Sequence, residues 1–118
     1  MDRTRMRIID FDRAESEPTE AAPAAERILS GDPKWKSWIY FSEGSMTSGR
    51  WESTPGLWTI AYEKWEFLTV LEGRGQIRGE DGTTIALEPG ATALIAPGFR
   101  GTWEVSETMS KHFFVRQA

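Results

Sequence analysis

Of 118 residues none is cysteine, and one, His112, is histidine. Disulfides, thiolate metal sites, iron–sulfur clusters and cysteine nucleophiles are excluded, and so is a three-histidine metal centre within one chain. A Ser-His-Asp arrangement would have to use His112. Carboxylates, hydroxyls, lysines and arginines remain for chemistry, and Glu66 stands first among them. Between Trp65 and Glu72 the residues Glu66, Leu68 and Val70 share one face, while Phe67, Thr69 and Leu71 share the other. If Leu68 and Val70 point inward, Glu66 does too, and a carboxylate there is costly unless paired. Such a group suits proton transfer. The competing reading is an ion pair or hydrogen bond with Lys111, Arg100 or a backbone amide.

Tyr62 lies four residues before Glu66, across the expected turn Glu63-Lys64, where its phenol can enter the same space or cap its end. Lys111 keeps the parity of Phe113 and Val115, so an inward lysine would pair with Glu66 or meet an anionic ligand. His112 takes the opposite parity with Phe114, and is read as a ligand-binding candidate against a hydrogen-bonded structural histidine. Six tryptophans, at 35, 38, 51, 58, 65 and 103, suit an apolar cavity wall with single N–H donors, and also suit a core or an interface. Gly73-Arg74-Gly75 is not a phosphate loop, because no helix follows it.

The elements that must position these residues are strands. From about residue 34, short apolar runs alternate with turn residues every eight to twelve positions, the signature of an all-β sandwich or barrel. Strands are predicted at 36–41, 49–53, 57–62, 65–72, 76–79, 83–88, 92–96, 101–106 and 111–116. Glu80-Asp81-Gly82, Pro89-Gly90 and Pro97-Gly98 supply turns. Residues 1–33 read as an arm, 34–118 as the barrel. In the arm, Arg7-Ile8-Ile9-Asp10-Phe11 is a candidate edge strand, and a helical turn is expected at 24–29, ended by Gly31. The balance of 14 Lys+Arg against 18 Asp+Glu, net −4, argues against nucleic acid and anionic membrane surfaces as partners. No apolar run spans a bilayer. Residues 1–12 lack the hydrophobic stretch of a signal peptide, so a cytoplasmic location is expected.

Four stretches go beyond a generic β pattern. They are Pro55-Gly56, the run from Trp65 through Glu66-Phe67-Leu68-Thr69-Val70-Leu71-Glu72 to Gly73, Leu87-Glu88-Pro89-Gly90, and the run from Ala96-Pro97-Gly98-Phe99-Arg100-Gly101 to Thr102-Trp103-Glu104-Val105. In this order, over about 28–115, the chain resembles the cupin superfamily of jelly-roll barrels. It is most similar to the compact cupins related to ureidoglycine aminohydrolase and the ethanolamine-utilisation cupin. The resemblance implies a divalent metal held by two histidines, a glutamate and a third histidine. Glu66 takes the glutamate's place, seven residues before Gly73. The histidine positions read Ile60-Ala61-Tyr62-Glu63 and Gly101 instead. No metal in the usual geometry is therefore expected, and Glu66, Tyr62 and His112 make at most a weak set for a divalent ion.

By the same resemblance Trp103, two residues past Gly101 and of equal parity, points where the last histidine would have pointed. Trp51 is a candidate for the same cavity wall. The expected function is binding of a polar small-molecule metabolite, nitrogen-containing or carboxylated. Glu66 is the catalytic candidate, and Tyr62, Trp103, Trp51, Lys111 and His112 are the ligand-binding ones. A non-catalytic ligand-binding module and a metal-dependent hydrolase are the alternatives. A homodimer is expected, with the 7–11 strand added to a partner's sheet edge.

Overall fold

The computed structural model describes residues 7–118. The strands are β1 (Thr19–Ala21), β2 (Ile28–Gly31), β3 (Trp35–Glu43), β4 (Met46–Ser53), β5 (Gly56–Ala61), β6 (Lys64–Gly79), β7 (Thr84–Leu87), β8 (Thr92–Ile95) and β9 (Arg100–Gln117). Every pairing is antiparallel. Among the described residues no helix is long and apolar enough to cross a membrane.

Two long strands organise the fold. The C-terminal half of β9 lies between β4 and the first half of β6, and β8 and β3 continue that layer outward. The N-terminal half of β9 lies between β5 and the second half of β6, flanked by β2 and β7. Both strands therefore belong to two layers, and the sheet curls on itself as a cupin jelly roll requires. The sequence reading placed breaks at 73–75 and 107–110. Instead the strands run through them, with register shifts at Val70/Glu72, Glu72/Arg74 and Arg74/Gly75. Gly73 (φ 92°) is the hinge of this bulge. A Cβ there would lie 2.6 Å from the Met109 Cα and 2.8 Å from the Glu107 carbonyl oxygen, so only glycine lets β6 bend against β9.

The first part of the chain differs from expectation. Arg7 to Phe11 is not a strand; Phe11 instead packs edge-on against Tyr40 and His112, with ring centroids 5.1 Å apart in each case. The strands in this region are β1, on the edge of β3, and β2, on β5 of the same chain. The expected helical turn is a single 3₁₀ turn, Ala25–Arg27, and the chain then straightens into β2 before Gly31. Residues 1–6 of the expected arm lie outside the described residues.

Candidate functional site

Between the layers lies a cavity of about 670 Å³. Its floor comes from adjoining strands of one layer: Glu66 on β6, Lys111, Phe113 and Val115 on β9, and Trp51 on β4. The facing wall is Trp58 and Ile60 on β5 with Trp103 on β9, and Trp35 closes one side. The period of two places them there. Glu66, Leu68 and Val70 are all buried, while Trp65 and Phe67 on the opposite face are 43% and 50% exposed.

Lys111 and Glu66 form an ion pair at 2.6 Å, with side chains 7% and 5% exposed. The pairing is not between register neighbours. Lys111 stands opposite Val70, and Glu66 opposite Val115. Four residues of strand, about 13 Å at the ordinary rise, separate the two levels. The lysine therefore stretches along the floor to reach the carboxylate. On the way its ammonium lies 4.3 Å from the Trp103 ring centroid and 4.5 Å from that of Trp51, close enough for cation–π attraction from both. The Tyr62 hydroxyl donates to the other carboxylate oxygen of Glu66 at 2.6 Å. Phenol, carboxylate and ammonium thus form one hydrogen-bonded chain. Burial depresses the Lys111 ammonium below the ordinary lysine range, with the Glu66 carboxylate opposing that shift. Burial, reinforced by the Glu66 charge beside it, holds the Tyr62 phenol far above the ordinary tyrosine range.

Four indoles surround this chain. Trp58 and Trp103 are register partners and stack nearly parallel at 6.4 Å. Trp35 and Trp51 meet them edge-on or tilted at 5.4 to 6.3 Å. Among the described residues the indole nitrogens of Trp35 and Trp103 are buried without a hydrogen-bond partner. An unsatisfied buried donor costs roughly 1–3 kcal/mol. At the rim Arg27 donates from Nε and Nη2 to the Thr59 carbonyl at 3.0 and 2.6 Å, near Glu63 and Lys64. Bordering cations (Arg27, Lys64, Lys111) outnumber carboxylates (Glu63, Glu66) by three to two, in a chain of net charge −4.

The structure brings five of the six sequence-predicted site residues to this cavity: Glu66, Tyr62, Trp103, Trp51 and Lys111. His112 is not among them. Adjacent residues of a regular strand face opposite ways, so an inward Lys111 sends His112 outward, where it packs on Phe11. Arg100 pairs with Glu80 at 3.7 Å on the surface and does not reach Glu66. Sequence reasoning missed Arg27, Lys64, Trp35 and Trp58 as site residues. The parity of Trp58 with Ile60 was a usable signal. Arg27 had none, since nothing around it shows a period.

The metal that the cupin resemblance implies does not fit these residues. Among the described residues no three His, Cys, Asp or Glu side chains come together. Both oxygens of Glu66 are engaged, one of them by an ammonium. At Gly101, where the resemblance puts the last histidine, a Cβ would collide with the Arg78 carbonyl oxygen.

A family model described as the EutQ-like cupin domain matches residues 42–113. No curated protein matches the chain. Among solved structures, a DUF861-family protein of unknown function from Pseudomonas syringae superposes with TM-score 0.78 at 23% identity, over 85% of this chain and 44% of that one. This chain therefore spans under half of that protein. The EutQ protein of Clostridium difficile superposes with TM-score 0.65 at 14% identity, covering 83% and 81%. A EutQ from Salmonella typhimurium, described as putative, gives 0.65 and 14% over 89% and 99%. At such identities these likenesses show the fold alone.

Proposed function

The chain belongs to the EutQ-like cupin family, and from that premise we propose that its barrel binds a small carboxylated metabolite. The observation that carries this reading is the buried Tyr62–Glu66–Lys111 chain set between tryptophan faces at an open cavity. An ion pair kept only for stability is readily replaced by apolar packing. Here it borders about 670 Å³ of space, enough for a metabolite. The excess of cations around the cavity favours an anionic group. In this reading Glu66 is the group that moves a proton, and its hydrogen bond from Tyr62 supports that role by fixing its orientation. A panel of small mono- and dicarboxylates, sugars and amines screened by tryptophan fluorescence tests the reading. Carboxylates should quench or shift the emission, saturably and one to one. No response from any carboxylate, or equal response from neutral sugars, would refute it.

The proposed partner is a second copy. Within the chain residues 7–11 form no strand, and Phe11 packs on its own Tyr40 and His112. The outer face of β8–β6–β9 supplies the contact instead. Leu94, Phe67 and Phe114 are register neighbours there, 62%, 50% and 40% exposed, with Trp65 beside them. Such an apolar stripe can meet its own copy across a two-fold axis, as the centre of the roughly 800 Å² per partner that a stable dimer buries. Sedimentation should give a dimer at micromolar concentration and a monomer for Phe67→Lys. A monomeric parent protein would end this proposal.

A further inference from the structure

We propose that Lys111 captures a carbonyl compound covalently, forming an iminium in the cavity with a small aldehyde or 2-oxo acid. The inference rests on the cavity being a binding site, and adds the chemistry that occurs there. Three observations converge on it. Lys111 is the one buried lysine of the four in the chain; Lys34 and Lys36 are exposed and Lys64 is half-buried. Its nitrogen already touches the carboxylate that must take and return a proton, at 2.6 Å. It also lies against two indole faces, at 4.3 and 4.5 Å, which stabilise a positive charge on that nitrogen. An iminium keeps that charge in the same place, so the walls that hold the ammonium also hold the product.

The step balances within the residues present. The Lys111 ammonium gives one proton to the Oε of Glu66 that it already meets, leaving a neutral amine beside a carboxylic acid. The amine attacks the carbonyl carbon, and one of its two protons moves to the carbonyl oxygen, giving a carbinolamine. Glu66 then protonates that hydroxyl, which leaves as water as the C=N bond forms. The iminium retains one N–H proton and faces the regenerated carboxylate. Tyr62 is a positioning residue: by donating to the other oxygen of Glu66 it keeps the acting oxygen aimed at the lysine. Burial favours the neutral amine, in the direction that nucleophilic attack needs. For a 2-oxo acid, the carboxylate would be met by the cations at the rim, Arg27 and Lys64.

The test uses the full chain with glyoxylate, pyruvate and acetaldehyde, each with cyanoborohydride at pH 7, followed by intact mass and peptide mapping. One equivalent of reduced adduct should appear on Lys111, preferred over Lys34 by at least about tenfold, and the preference should vanish in denaturant. Glu66→Gln, checked for folding by circular dichroism, should slow adduct formation by about a hundredfold while Tyr62→Phe slows it less. Adducts spread over Lys34, Lys36, Lys64 and the N-terminus without preference for Lys111, for all three probes, would overturn the proposal. In that case saturable, reversible quenching by pyruvate without reductant would leave the binding cavity standing. Its absence would remove both.

Discussion

At one end of the barrel Ile77, Leu87, Val105 and Met109 fill the space between the layers, each 2% exposed or less. At the other end Trp35, Trp51, Trp58 and Trp103 stand around open space above a buried ion pair. Strands β6 and β9 run through both ends, joined by β7 at the first and by β3, β4 and β5 at the second. Side-chain shape and charge separate the two. Flexible aliphatic side chains interdigitate to crystal-like density. Flat indoles, one pair parallel and the others edge-on or tilted, leave space over an ammonium and a carboxylate, whose remaining polar atoms still want partners. One end is aliphatic core throughout; at the other Trp58 and Trp103 are equally buried, and the space lies beside the charge pair.

Breaking the ion pair should produce the largest change. Glu66→Ala leaves Lys111 buried without its carboxylate and should cost about 3–5 kcal/mol in urea unfolding. The double variant Glu66→Leu/Lys111→Met should recover most of that loss while abolishing ligand response. A double variant as unstable as Glu66→Ala would mean that packing, not charge, sets the cost. At the aliphatic end Met109→Ala should cost about 2–5 kcal/mol by opening a void, with ligand affinity unchanged. A large loss of affinity there would erase the division between the two ends.

Much of this division was legible in the sequence, and where it was not the reason is physical. The alternation through 65–72 put Glu66 beside Leu68 and Val70, and the parity of 111–115 put Lys111 beside Phe113 and Val115. The same parity excluded His112 from the cavity once Lys111 was inside. Taking both as ligand residues asked one regular strand to face two ways. The strand was broken at 73–75 because a bulge and a turn at Gly73 demand the same positive φ, and only the partner strand tells them apart. The stretch of Lys111 along its strand was illegible, since register says nothing about how far a long side chain reaches. Arg27 entered the site through a 3₁₀ turn and a short strand that carry no periodic signal.

Smaller effects sharpen the comparison further. Tyr62→Phe removes one hydrogen bond to a charged group and should cost about 1.5–3 kcal/mol. Its pH signature is specific. Because the folded state holds the Tyr62 phenol above its ordinary value, the stability it contributes is whole below pH 10.0 and is lost as pH rises beyond that. In Tyr40→Phe, where Tyr62 is the only tyrosine left, phenolate absorbance should stay flat until the chain unfolds. Ionisation of the intact fold near pH 10 would show the phenol to be solvated. His112→Ala, on the outer face, should cost only the edge-on contact with Phe11, about 0.5–1.5 kcal/mol. Burial depresses His112, so its share of stability is present above about pH 6.5 and fades on acidification, and the alanine variant should lose that dependence.

Calorimetric titration of the tightest carboxylate from the screen, against the parent protein, Lys111→Met and His112→Ala, tests the cavity most directly. The two substituted residues are chain neighbours that face opposite sides of one strand. Binding should be one to one with the parent, unchanged with His112→Ala, and lost with a folded Lys111→Met. Equal affinity for all three proteins, or loss with His112→Ala alone, would contradict a binding site built on Lys111 and Glu66.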